Sequence, residues 1–362
     1  MIDNIRVHNF KSLKNIDLPL KRLNIFAGLN GMGKSSLIQV LLLLRQSQLI
    51  RTEKLALTGA LVNIGKGSDA LYQFAEDEVL AFSLQWNEEQ LATYEFEWMP
   101  ESNYLDRISS SKSETDISPY IENLQYISAD RLGPSIMYDM SQNSVKQGLL
   151  GALGEYTSHF LSVNGHRLKI EPRRLHPSIP SSFLVNQVNA WLGELSPGVK
   201  INVTEVPGAD KMLLTYEFEL QKGRTQPFKP TNVGFGITCA LSIVVALLIA
   251  EKDQLIIIEN PEAHIHPQGQ AKLGKLMALA ASSGAQIIVE THSDHVINGI
   301  RVAVKEGIIP PSETQCPWFH KVTTETEQYT DIINILIDKN GELSEYPEGF
   351  LEEWNNQLLR LI

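Results

Sequence analysis

"LNIFAGLNGMGKSSLIQVLLLLRQSQLI", residues 23–50, decides how the rest of the chain is read. Leu23 to Gly28 has the length and apolar character of a strand, a glycine-rich turn follows, and a leucine-rich segment of helical length comes next. Gly28, Gly33, Lys34 and Ser35 fit the pattern GxxxxGK[ST]. Glycines let such a loop curl until its backbone N–H groups converge on phosphate oxygens, the lysine adds a point charge, and the hydroxyl can ligate Mg²⁺. Asn30, Gly31, Gly33, Lys34, Ser35 and Ser36 are therefore expected to hold the phosphates of ATP, with Ser35 also a metal ligand.

Two further stretches carry chemistry. In "LIIIENPEAHIHP", residues 255–267, an apolar strand runs into Glu259, expected to serve Mg²⁺ through a water. Most ATPases of this general shape have a water-activating carboxylate at the next position; here it is Asn260, which cannot act as a base. Glu262 is the candidate base or water-orienting group, with helix capping or a dimer contact as its other reading. His264 and His266 suggest a metal triad with Glu262. An HxH pair shares a face only on a strand, however, and this stretch leaves its strand for Pro267, so a packed turn or an interface contact is expected. After the strand "AQIIVE", Thr291-His292-Ser293 places a histidine where it can sense a γ-phosphate or the attacking water. The catalytic candidates are thus Glu262, His292 and Glu259.

Around these motifs the fold class expected is α/β, a P-loop NTPase with an antiparallel β layer and a mixed α+β insertion. Residues 1–141 read as a first lobe, in which 2–10 and 15–20 are strands and "VLAFSLQWN" and "ATYEFEWM" alternate with period two, followed by the polar loop "SSSKSETD". Residues 142–230 read as the insertion, with a helix around "NQVNAWLGEL" and a hairpin-like pair, "VKINVTEVPG" and "MLLTYEFELQ". Residues 231–305 return to α/β with helices near 235–250 and 267–282, and 306–362 form a small closing segment whose "IINILIDKNGEL" reads as a hairpin turning at Asn340-Gly341.

Composition bounds the class. With 43% hydrophobic and 20% charged residues in 362, the chain has the make-up of a folded globular protein. Cys239 and Cys316, far apart and outside any CxxC, read as reduced thiols. The N-terminus has no apolar h-region, and the longest apolar stretch is broken by Glu251-Lys252-Asp253, so a cytoplasmic chain without a membrane is expected. A net charge of −11 argues against a nucleic-acid-coating protein. It leaves "GHRLKIEPRRLHP", with Arg167, Lys169, Arg173 and Arg174, as a solvated or ion-paired face or, secondarily, a nucleic-acid contact.

"GLNGMGKSS", "LIIIENPEAHIHP" and "VETHSDHVINGIR" resemble the RecF, SMC and ABC-type ATPases, and most resemble the overcoming-lysogenization-defect (OLD) ATPases. The opening "IDNIRVHNFKSLKNIDL" and closing "GELSEYPEGFLEEW" are similar to a branch of that group, AAA-family ATPases with a short C-terminal domain of unassigned role. The resemblance implies an ABC-type head that dimerises around ATP and Mg²⁺, alone or in a higher homo-oligomer. It also implies a signature segment facing the partner's γ-phosphate; the matching position is "NVGFGITCALS", with Asn232, Gly234 and Gly236. Gln73 is the stand-in for the family's Q-loop glutamine, and Asp130-Arg131 resembles a motif near the nucleotide, with a strand-end salt bridge as the other reading. No Glu followed by a DxD pair marks a Toprim nuclease, so any nuclease would be a separate effector. The function implied is a slowly hydrolysing switch or sensor in a bacterial anti-phage defence module. The alternatives are a RecF-like DNA-repair ATPase and a non-hydrolysing nucleotide-dependent scaffold.

Overall fold

The computed structural model describes residues 1–87, 90–110, 119–351 and 357–361. The chain divides into two compact units: Met1–Leu124 with Pro311–Asp338 and Glu342–Ile362, and Gln125–Pro310 with Lys339–Gly341.

The first unit holds an antiparallel sheet in the order Leu13–Pro19, Ile2–Phe10, Val79–Trp86, Gln90–Glu97, Arg107–Ser110. Alternation sets its register: Ile5, Val7, Phe82, Leu84 and Phe96 all turn to one buried face, where Phe82 meets Phe10 edge-on at 5.5 Å between ring centroids. Of the polar run at 109–116, Ser109 and Ser110 end a strand, and the rest lies outside the described residues. The P-loop strand, Leu23–Gly28, is buried along its whole length and pairs in parallel with Thr314–Thr323, which pairs antiparallel with Gln328–Leu336. The C-terminal hairpin is therefore Thr314–Leu336, turning at 324–327. The expected turn at Asn340-Gly341 follows it, closed by the antiparallel bridge of Ile337 with Leu343 and by Asp338 N donating to Glu342 O at 2.8 Å. Cys316, Pro317 and Trp318 are consecutive buried residues, so this strand lacks the alternation that would reveal it in sequence.

The second unit is built on Leu255–Glu259 and Gln286–Glu290, parallel and in register from Leu255 opposite Gln286 to Glu259 opposite Glu290. Both strands are apolar runs buried on two sides. Helix Phe235–Ile249 is apolar all round and buried from Ile237 to Leu248, whereas helix Asp294–Lys305 is amphipathic. Helix Pro267–Ser282 starts on proline at its first position, where the missing N–H costs nothing. A three-stranded sheet, Met137–Asp139, Lys211–Phe218 and Val199–Val206, and helix Leu184–Gly193 complete this unit.

Candidate nucleotide site

Gly31 and Gly33 take φ of 77° and 95° and Gly28 takes 146°, conformations that L side chains rarely adopt. Space adds to the requirement at two of them. A Cβ on Gly28 would collide with Phe319 O, and one on Gly33 would stand 2.5 Å from Thr330 Oγ1. The loop opens directly into helix Lys34–Leu49, which has no side-chain cap at its N-terminus. Lys34 is only 3% exposed, and its Nζ donates to Gly28 O and Leu29 O at 2.9 Å each. The curl thus holds a buried ammonium inside a ring of backbone at a helix N-terminus, a donor set that fits a polyphosphate. Asn30 and Ser35 are exposed, Ser36 is half-buried, and Gln73 sits in an exposed turn.

In the second unit, Glu259 and Asn260 are held through Arg131, and Glu262 is bonded to Thr291 and His292. Glu259 Oε2 accepts from the Tyr126 hydroxyl at 2.9 Å and Ala129 N at 3.2 Å, while Oε1 has no partner among the described residues. Burial, with the Glu259 carboxylate alongside, pushes the Tyr126 phenol well above its ordinary pKa, so Tyr126 stays a donor. Glu262 has both oxygens engaged: Oε2 accepts from Thr291 Oγ1 at 2.7 Å and Oε1 from His292 N at 2.8 Å. The carboxylate therefore ties the turn after one strand to the turn after the next and leaves the His292 side chain exposed.

Asn260 has φ 44°, and its Oδ1 is buried without a hydrogen-bond partner among the described residues. An orphaned acceptor beside a half-open carboxylate fits a hydrated Mg²⁺, whose waters are donors.

Arg131 is buried and does not form the strand-end salt bridge with Asp130. Its guanidinium donates to Cys239 O, Ser128 O, Glu259 O and Asn260 O, at 3.2, 3.2, 2.8 and 2.6 Å. One cation thereby joins helix Phe235–Ile249 to the end of the Glu259 strand.

The signature-like segment places Asn232 and Gly234 in solvent, with Gly234 as the N-cap of helix Phe235–Ile249. Gly236 is close-packed: a Cβ there would collide with His264 O. The two histidines of "HIH" diverge in role. His264 lies against the Phe235 ring at 4.4 Å between centroids, and His266 caps helix Pro267–Ser282 by accepting from Gln268 N at 3.3 Å. Tyr126, Thr330 and Ser12 escaped sequence reasoning, because a lone hydroxyl inside or beside a strand leaves no spacing pattern.

Residues 95–298 match the family described as "AAA domain, putative AbiEii toxin, Type IV TA system". That is more than half of the chain, and the chain belongs to this family. Residues 1–117 match "AAA ATPase domain", and 309–361 match "Protein of unknown function (DUF3696)". No curated protein matches. Among solved structures, an SMC head bound to the C-winged helix domain of ScpA is 13% identical, with 92% of this chain and 97% of that one covered at a TM-score of 0.55. A Pyrococcus furiosus SMC head with an extended coiled coil, bound to the C-terminal domain of ScpA, is 12% identical, with 99% of each chain covered at a TM-score of 0.51. These likenesses show the fold alone, the mixed α/β architecture of an SMC head.

Proposed function

We propose that this AAA-type ATPase binds Mg·ATP, hydrolyses it slowly, and uses the difference between the bound and free states to close and open a homodimer. The observation that carries the reading is the buried Lys34 ammonium held within the curled glycine loop. Asn30, Gly31, Gly33, Lys34, Ser35 and Ser36 are assigned to the phosphates, and Ser35 and Glu259 to Mg²⁺. Bound ATP supplies the transferable phosphoryl group, and Mg²⁺ neutralises its charge. His292 is assigned to sensing the γ-phosphate, while Glu262 sets the height of the His292 backbone rather than taking a proton outright, since both its oxygens are already acceptors. Asn232, Gly234 and Gly236 are assigned to the second protomer's nucleotide. The family resemblance to OLD ATPases supports this assignment, as does a helix N-terminus that opens on solvent at Gly234.

The matched family's description names a toxin of a type IV toxin–antitoxin system. Together with the OLD resemblance it supports a setting in a bacterial defence module, where a separate effector such as a nuclease reads the closed dimer. The RecF-like alternative is disfavoured by the basic segment itself. Arg174 is 7% exposed and donates to Leu247 O and Ala250 O, and Arg173 donates to Ser282 O, so both close helix ends. The scaffold alternative draws on Asn260.

Steady-state phosphate release from Mg·ATP, beside Lys34→Ala, tests the proposal. Slow release that disappears in Lys34→Ala supports it, and Glu262→Gln should then lower the rate by about tenfold or more by loosening the His292 turn. Release unchanged in Lys34→Ala would overturn it, and ATP binding without release would select the scaffold.

A further inference from the structure

The segment 309–361, whose matching family is described only as a protein of unknown function, takes part in building the P-loop. Its hairpin presses on two of the loop's glycines, Gly28 through the backbone of Phe319 and Gly33 through the side chain of Thr330. Thr330 is 1% exposed. Its N–H donates to Ser12 O at 2.8 Å, and its Oγ1 lies 2.8 Å from Ser12 Oγ and 3.1 Å from Met32 O. A hydroxyl has one proton to give, and a carbonyl can only accept. The Thr330 hydroxyl is the donor toward both, so its one proton is divided between Ser12 Oγ and the Met32 carbonyl.

The consequence follows from peptide planarity. In a trans peptide the C=O of one residue and the N–H of the next point in opposite directions. Holding the Met32 carbonyl toward Thr330 therefore holds the Gly33 N–H away from the hairpin, and Gly33 is one of the residues whose N–H groups a P-loop must converge on phosphate. A flexible glycine pair would otherwise have to be ordered when the ligand arrives, at a cost in affinity.

We propose that Thr330 is a positioning residue of the nucleotide site. The C-terminal hairpin presets the Met32–Gly33 peptide, which makes this segment a working part of the phosphate cradle. The inference rests on the reading of this loop as an ATP site, and the variants are chosen to separate the two. Binding of a fluorescent ATP analogue with Mg²⁺, and thermal unfolding of the nucleotide-free protein, are measured for the wild type, Thr330→Val, Thr330→Ser, Ser12→Ala and Lys34→Ala. Thr330→Val should weaken binding about five- to tenfold, the fold-change of one lost hydrogen bond, and lower the melting temperature by roughly a few degrees because the Met32 carbonyl loses its donor, whereas Thr330→Ser should keep both. Thr330→Ser, which keeps the hydroxyl, should restore binding to within about twofold, and Ser12→Ala, which removes the competing acceptor, should bind within about twofold of the wild type.

If Thr330→Val binds like the wild type while Lys34→Ala does not, the positioning role is overturned and the ATP site stands. If Thr330→Val and Thr330→Ser lose binding and melting temperature together, the role is structural and the proposal is likewise overturned. If Lys34→Ala binds like the wild type, the ATP reading fails and takes this proposal with it.

Discussion

Asn260 adopts φ 44°, in the left-handed region where asparagine and glycine are tolerated and longer side chains are strained. The backbone therefore supplies a reason for asparagine where a catalytic glutamate is otherwise expected: the turn between Glu259 and Glu262 is tighter than a glutamate would accept without cost. Asn260→Gly should be more stable than Asn260→Ala by about 1 kcal/mol in urea unfolding. Equal stabilities would show that the turn does not select the residue.

Stability should also respond to pH through Glu327 and Tyr72. The hydrogen bond from Lys14 Nζ, with the Tyr72 hydroxyl also donating, holds the Glu327 carboxyl below its usual range, whereas burial and Glu327 push the Tyr72 phenol up to about 12. A depressed carboxyl stabilises the fold above its unfolded value, near 4.3, and that contribution is lost as pH falls through the folded value. A raised phenol acts in the opposite sense, losing its contribution as pH rises from about 10 to about 12. Glu327→Gln should flatten the acid limb of stability below about pH 4, as followed by urea midpoints at pH 7, 5 and 3. An unchanged acid limb would assign that limb to other carboxylates. None of this was visible in sequence, since Lys14, Tyr72 and Glu327 are brought together only by folding.

At the scale of elements, the residues with strong local patterns were legible and those defined by tertiary partners were not. Leu23–Gly28, helix Pro267–Ser282 and the Gln286–Glu290 strand fall where apolar runs and turn signals put them. The turn at "DKNG" was legible from its residues, whereas the longer hairpin before it, turning at 324–327, was not, because its first strand is buried over Thr314–Phe319 and does not alternate. The basic segment was read by charge alone, yet its arginines end helices. Arg174 Nη1 reaches Leu247 O at 3.1 Å and Ala250 O at 2.6 Å, supplying donors to carbonyls that a helix C-terminus leaves unpaired. Arg174→Ala should cost about 2 kcal/mol, because buried carbonyls lose a charged donor. Arg167→Ala, an exposed neighbour, should cost less than about 0.5 kcal/mol. Comparable losses would mean that the segment acts through its total charge rather than through a cap.

The whole molecule carries a net charge of −11, so any homodimer must form against its own repulsion. What favours closure is local. Phe235 is 47% exposed at the start of the signature-like helix, beside His264 and over Gly133, a position at which a Cβ would meet its ring at 2.5 Å. With one edge packed on Gly133, the ring can present its outer face to a second copy with little loss of its own freedom. These two terms respond to salt in one direction: screening weakens the repulsion and leaves apolar contact intact. Binding to nucleic acid responds in the other direction, because it is driven by release of counterions. The ATP-dependent dimer, followed by light scattering with a slowly hydrolysed analogue, should therefore persist or strengthen from 50 to 300 mM salt, roughly the range over which a phosphate-backbone complex weakens by orders of magnitude. Phe235→Asp should abolish the dimer while nucleotide binding survives, and Lys34→Ala should abolish both. A dimer that dissolves as salt rises, or that survives Phe235→Asp, would place the association surface elsewhere and make charge pairing, not the signature-like helix, its source.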